Sequence, residues 1–319
     1  MTLSSAGRYL FLTNSQNPAG KTNMKPLILI NYVDRAHGTN LVIQNIEDMF
    51  RETASEYKIV KFKDREESVR AVSQGKEDGF DTLFIGGGDG TVFHIFNMAF
   101  GMGFTFGIIP LGTVNAMSRS LGFAKNSVKA CRQSLNGKAK RIDVGRAAGH
   151  WFTCFASIGY DASVVHTINE KSKIRWKQAA FGIHGVKRLF HLHEISPIEV
   201  VYESDGEKLS GYSFIMSNLH LYGGFRLFGD RIDDGEMDSA LIRRNGPLDY
   251  LRTPFKLYKT SEKERYSDNL IHRRKTSEVI VKGKAPLYLQ LDGDPVSIPP
   301  PATEVKLEVK KQAARFLIP

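Results

Sequence analysis

Four glycines close around one carboxylate in Gly86-Gly87-Gly88-Asp89-Gly90-Thr91. The run follows the apolar Asp81–Ile85 (DTLFI) and precedes Val92–Ala99, an apolar stretch of helical period. Glycine lets the main chain take conformations closed to other residues and lets an anion come close to the amides. The start of the following helix adds unsatisfied N–H groups and the positive end of its dipole. This is chemistry suited to a phosphate group. No Lys-Ser/Thr pair follows, so the loop is not of the Walker type, and its spacing is not GxGxxG. A second loop, Pro110-Leu111-Gly112-Thr113-Val114-Asn115, also lies between an apolar strand and a helical stretch. Thr113 and Asn115 have side chains that can bond phosphate or cap the helix. Two acidic turns, Asp233-Asp234-Gly235-Glu236 and Asp292-Gly293-Asp294-Pro295, place further carboxylates at sharp bends of the chain.

These loops need elements to hold them. Pro26–Val33, Tyr57–Phe62, Asp81–Ile85 and Phe104–Ile109 read as strands, and Ile43–Arg51, Ser68–Gln74 and Val92–Ala99 read as helices. Such alternation predicts βαβ units around a largely parallel sheet. In a sheet of this kind the loops at the strand C-termini converge on one crevice, so the two glycine loops are expected to face one ligand. The pattern changes near Arg141. Short strands are predicted at Ile142–Val144, Phe152–Ile158, Ile198–Tyr202, Gly211–Met216, Met237–Ile242, Glu278–Val281, Tyr288–Leu291 and Val305–Val309. One long helical segment over Asp161–His193 interrupts them. The expected fold is therefore α/β: an N-terminal parallel-sheet domain that carries the two glycine loops and a second, β-rich and mostly antiparallel domain. Residues 1–24 read as a flexible extension.

A length of 319 residues fits two domains of about 150 residues each. With 44 basic and 34 acidic side chains the net charge is +10, which favours an anionic partner. No RNP, helix-turn-helix or zinc-finger pattern accompanies that charge, so nucleic acid is not the expected partner. The two cysteines read as free thiols in a reducing compartment. The longest clear apolar run, Leu27–Ile30, is far short of the ~20 residues that span a bilayer. A cytoplasmic protein is expected.

The motifs together resemble a known family. GGGDGT, followed about twenty residues later by PLGTVNAMSRSLG, is similar to the diacylglycerol kinase catalytic domain family of lipid kinases. The similarity continues through Ile142-Asp143-Val144-Gly145, Ser157-Ile158-Gly159-Tyr160-Asp161-Ala162, the Asp233-Asp234-Gly235 turn and Leu291-Asp292-Gly293-Asp294. It implies a catalytic domain over residues 25–141, to which residues 305–319 return. A sandwich-like lipid-substrate domain would cover 142–304. It further implies ATP as phosphoryl donor with Mg²⁺, and a lipid hydroxyl as acceptor.

By the same resemblance Asn31 and Gly38 would contact nucleotide. Gly87, Gly88, Gly90 and Thr91 would wrap its phosphates beside Thr113 and Asn115. Asp89 would either hold magnesium-bound phosphate or orient the attacking hydroxyl. Asp294, where relatives carry Glu, would be the general base, acting directly, through a water or on a more deeply seated substrate. Asp234 and the main-chain carbonyls of Arg231 and Glu236 would hold a structural magnesium. Departures from the family pattern are Tyr32, His94, Phe228 and Asp230. Two basic stretches, Lys171–Arg188 with Trp176 and Phe181, and Arg252–Lys275, read as solvated faces. For a kinase of bilayer substrates they also fit peripheral contact with an anionic membrane at its inner face. A homodimer is left open. The rival readings are an NAD kinase-like enzyme acting on a soluble nucleotide and a non-catalytic nucleotide- or lipid-binding protein.

Overall fold

A computed structural model describes residues 10–13, 24–32, 38–54, 56–167, 195–222, 225–229, 231–298 and 302–319. The chain runs β1 (Leu10–Thr13), β2 (Pro26–Asn31), α1 (Gly38–Thr53), β3 (Glu56–Phe62), α2 (Arg65–Glu77), β4 (Thr82–Gly87), α3 (Asp89–Ala99), β5 (Thr105–Pro110), α4 (Ala116–Ser120) and α5 (Ser127–Leu135). It continues through β6 (Lys138–Ala147), β7 (His150–Phe152), β8 (Phe155–Gly159), α6 (Tyr160–Thr167), β9 (Ile198–Tyr202), β10 (Lys208–Gly211), β11 (Ser213–Ser217), β12 (Leu221–Tyr222), β13 (Phe225–Arg226) and β14 (Met237–Ile242). The last elements are α7 (Pro247–Lys259), β15 (Arg265–Ser267), β16 (Ile271–Thr276), β17 (Glu278–Gly283), β18 (Leu289–Leu291), β19 (Asp294–Val296) and β20 (Glu304–Ile318). Two compact units emerge: residues 1–112, 121–140 and 315–319 form the first, and residues 113–120 and 141–314 the second.

In the first unit the strand order is β1-β3-β2-β4-β5, with Arg315 and Phe316 of β20 beside β5. β2, β3, β4 and β5 pair in parallel, and β1 is antiparallel to β3. Alternate side chains of a strand point to opposite faces. Ile28 and Ile30 accordingly pack with Ile43, Ile46 and Phe50 of α1 and with Cys131 and Leu135 of α5. Leu27 faces the other way, so close to α2 that a Cβ on Gly75 would stand 2.4 Å from its side chain. Both faces are covered, which is why β2 and β4 read as unbroken apolar runs.

The second unit holds an antiparallel sheet in the order β15-β16-β14-β11-β8-β18-β19, and a second set β10-β9-β17-β20 joined by β6 and β7. Tyr202 of β9 lies edge-on to Phe214 of β11, so the two sets share apolar inner faces. Val200, Tyr202, Val279, Val281 and Leu307 are buried, whereas Glu199, Lys282 and Lys306 between them are exposed.

Several elements depart from the sequence reading, among them β1, which lies within the segment read as a flexible extension and pairs with β3. Phe152–Ile158 is two strands, because Thr153 and Cys154 give their amides to a side chain rather than to a ladder. β16 (IHRRKT) and α7 carried no strand or core-helix signal, and β19 is a separate three-residue strand. The long segment expected over Asp161–His193 begins as α6, and its remainder, with the Lys171–Arg188 stretch, lies outside the described residues. Among the described residues no helix is long and apolar enough to cross a membrane.

Candidate functional site

The glycine run of the first unit is the turn from β4 into α3. Gly88 caps the helix with extended backbone, φ −89° and ψ −177°, and no side chain satisfies the first amides from the cap position. A Cβ on Gly87 would stand 2.5 Å from the Thr91 side chain, and one on Gly88 3.3 Å from the Gly112 Cα. The Leu111 amide donates to the Gly87 carbonyl at 2.9 Å, so the two glycine loops lie backbone against backbone. Asn31, at the end of β2, donates from Nδ2 to Thr91 Oγ1 at 2.9 Å, while its buried Oδ1 has no hydrogen-bond partner.

The C-terminal ends of β2, β4 and β5 thus meet at one edge, as a nucleotide-binding sheet requires. Side-chain-free backbone at a helix start suits phosphate oxygens, and the orphaned Asn31 acceptor suits a ligand hydroxyl. The residues present fit a nucleotide there. Gly90 lies in the first turn of α3, and Gly38 opens α1. His94 Nε2 and Ser68 Oγ of α2 share a hydrogen bond at 3.4 Å.

Thr113 and Asn115 belong to the second unit. Thr113 is exposed. Asn115 has a left-handed φ of 49°, and its carbonyl accepts from the Arg119 amide and the Ser118 hydroxyl, which starts α4.

Asp294 opens β19 immediately after a two-residue turn. Asp292 and Gly293 have φ of 51° and 89°, the left-handed pair that a tight hairpin demands, and Leu291 pairs with Asp294 across it. Asp292 is buried. Its Oδ1 accepts the amides of Cys154 at 2.8 Å and Phe155 at 2.9 Å, and its Oδ2 accepts the Thr153 amide at 2.9 Å and hydroxyl at 3.0 Å. Burial pushes this carboxyl up to about 6, against the pull of those four donors.

A polar chain reaches the same turn from behind. The Gly293 amide donates to Gln290 Oε1 at 2.8 Å, Gln290 Nε2 to Ser157 Oγ at 2.9 Å, and Ser157 Oγ to Asp161 at 2.8 Å. Tyr222 also donates its hydroxyl to Asp161. Burial raises the Asp161 carboxyl above the ordinary carboxylate range, opposed by the two hydroxyls. Asp294 itself is half-buried. Sequence reasoning named Asp292 only as part of its turn and gave it no role, and it passed over Gln290 and Tyr222. The Asp-Gly pair of a tight hairpin was the one signal that pointed to Asp292.

The other acidic turn is arranged differently from expectation. Gly235 has φ 91°, and its amide donates to Asp143 Oδ2 at 2.7 Å, while the Gln312 amide donates to Asp143 Oδ1 at 2.7 Å. Asp234 Oδ1 accepts the Glu236 amide at 3.2 Å, and Oδ2 is bound by Lys275 Nζ. Desolvation would raise the Asp234 carboxyl, but the lysine and the amide outweigh it and hold it below its ordinary range. The Arg231 guanidinium lies 3.7 Å from Glu264. Both oxygens of the expected ligand are therefore engaged, one of them by a cation. The arrangement fits an ammonium group rather than a divalent metal. Among the described residues no cluster of three or more His, Cys, Asp or Glu forms a metal site.

Residues 25–147 match the diacylglycerol kinase catalytic domain family. The chain is 27% identical over 235 residues to a diacylglycerol kinase of Bacillus subtilis (strain 168), covering 72% of this chain and 76% of that protein. It is 26% identical over 262 residues to a protein of Alcanivorax borkumensis named "Probable lipid kinase YegS-like", covering 79% and 84%. In three dimensions it is similar to the crystal structure of a diacylglycerol kinase from Bacillus anthracis str. Sterne, with a TM-score of 0.68, 20% identity and coverage of 94% and 98%. The glycine cradle at the β4–α3 turn lies inside the segment that is similar to the diacylglycerol kinase catalytic domain family, and the likeness to these relatives extends over most of the chain.

Proposed function

We propose that the protein is an ATP-dependent lipid kinase that phosphorylates a lipid hydroxyl, with diacylglycerol or a related lipid as acceptor. The observation that carries this reading is the family match over the segment that contains the glycine cradle. In the proposed reaction ATP enters as its magnesium complex. The amides of Gly88, Gly90 and Thr91 bind its phosphates, with Thr113 and Asn115 beside them, and Asn31 and Gly38 contact the rest of the nucleotide. Asp89 acts toward the metal-bound phosphates. The acceptor oxygen bonds to the γ-phosphorus as the bond to ADP breaks, and Asp294 takes the hydroxyl proton. Such a transfer depends mainly on positioning and charge neutralisation. The enzyme works at the cytoplasmic face of a membrane, where its acceptor lies.

The test is incubation with labelled ATP and a total lipid extract, followed by identification of the labelled product. A labelled lipid that disappears with Asp89→Asn supports the reading. Label on NAD but on no lipid would replace it with the nucleotide kinase. ATP binding without turnover on either would replace it with a non-catalytic binding protein.

A further inference from the structure

Helix α7 is built the wrong way round for a helix that serves only a core. Its inward side is narrow: Thr253 and Leu257 are buried, Leu257 among Leu227, Phe228, Ile242 and Ile271. Its N-terminal turn is fixed by Tyr250, whose ring packs on Tyr160 with centroids 3.9 Å apart. The outward side carries Leu248, Leu251, Phe255 and Tyr258, each 60–63% exposed. Their spacing of three, four and three residues sets them in one stripe along the helix. Single exposed apolar residues are ordinary, but four in register form a patch of the kind that marks an interaction site.

Charge decides the partner. Beside the stripe stand Arg252 and Lys259, both exposed, and Lys256, which is paired with Asp268. Lys259 lies over the Phe255 ring, 4.5 Å from its centroid. The one acid of the helix, Asp249, is committed to the helix start, where it accepts the Gly246 amide. Arg243 and Arg244, just before the helix, are also exposed. An apolar stripe with aromatic rings and a cationic flank is the composition of a helix that lies in the interface of an anionic bilayer.

We propose that α7 is the surface by which this protein docks on anionic membranes, with Leu248, Leu251, Phe255 and Tyr258 inserting between headgroups and Arg252 and Lys259 meeting lipid phosphates. This rests on the lipid kinase reading only for its biological purpose, and the binding itself is measurable without turnover.

The experiment is co-sedimentation of the full chain with vesicles of phosphatidylcholine alone and of equimolar phosphatidylglycerol and phosphatidylcholine. Wild type should bind the anionic vesicles more strongly. The double variant Leu251→Gln/Phe255→Gln should partition about tenfold or more weakly, with an unchanged unfolding midpoint, because both side chains face solvent. Arg252→Gln/Lys259→Gln should lose the preference for phosphatidylglycerol at low salt. Light scattering is run on each protein in parallel. Apolar variants that bind vesicles as wild type does would overturn the proposal. So would a wild-type dimer that the double variant splits while vesicle binding stays constant, since the stripe would then be a self-association face. Vesicle binding through α7 without any lipid phosphorylation would keep the docking surface and remove the kinase reading. Phosphorylation of dispersed lipid by a protein that ignores vesicles would do the reverse.

Discussion

The carboxylate of Asp292 accepts the amide of Cys154 at 2.8 Å, a bond between residues 138 apart in the chain. It ties the hairpin that presents Asp294 to the bend between β7 and β8. The Asp292 carboxyl is pushed up to about 6 by burial, from an ordinary 3.8. Between about pH 4 and 6 the folded state then binds more protons than the unfolded chain, so this group's contribution to stability is greatest below pH 4 and falls as pH rises through about 6. A rise of that size corresponds to about 3 kcal/mol between the two ends of the window. Urea unfolding of wild type and Asp292→Asn across this range checks the sign: the variant should be less stable throughout and lack this part of the slope. Equal slopes in the two proteins would remove Asp292 as its source.

Asp294→Asn should lower turnover about 10²–10⁴-fold if the residue takes the acceptor proton, with nucleotide affinity nearly unchanged. Asp294→Glu restores the longer side chain of the relatives on a hairpin held by Asp292, and a modest fall is expected. Steady-state kinetics with separately measured nucleotide binding tests both, and full turnover in Asp294→Asn would exclude the residue from the reaction.

Gly87→Ala should destabilise the first unit by about 1–3 kcal/mol, because the added Cβ would stand 2.5 Å from Thr91. The shift must also disturb the Asn31–Thr91 bond, so nucleotide affinity should fall in step. A thermal midpoint equal to that of wild type would mean that Thr91 moves aside freely.

Arg273 is fully buried in β16. It donates to Asp238 at 3.0 Å, to the Leu227 carbonyl at 2.7 Å, and to the carbonyls of Ser261 and Lys263. Arg273→Met fills the same space and strands the Asp238 carboxylate. A loss of about 3–5 kcal/mol is expected. The double variant Arg273→Met/Asp238→Leu should recover a large part of it in chemical unfolding, because no unpaired charge then stays buried.

Lys275→Met releases Asp234 Oδ2 from its ammonium partner. Stability should fall by about 1 kcal/mol, as for a partly exposed ion pair. Added Mg²⁺ should raise the unfolding midpoint of the variant more than that of wild type. Equal Mg²⁺ responses would show that the lysine does not stand in for a divalent ion.

The parallel sheet and the place of the glycine loop were legible because they are local. β2 and β4 are short apolar runs buried on both faces, and the strand–glycine–helix order of residues 82–99 needs no distant partner to be read. The order of the acidic motifs likewise stood in the chain as written. Tertiary structure decided what depends on distant neighbours. Arg273 sits in a strand that reads as a charge run, and only Asp238 and three carbonyls make its burial tolerable. Asp292 reads as a turn residue until the bend at Thr153–Phe155 is brought to it. Asp234 reads as a metal ligand until Lys275, on a strand 41 residues away, arrives beside it. Helix α7 was not read in the sequence, where most of its residues fall in a basic stretch, and no local pattern says which way an apolar stripe faces. That was set by Leu257 and Tyr250, which claim the inward side and leave Leu251 and Phe255 to the solvent.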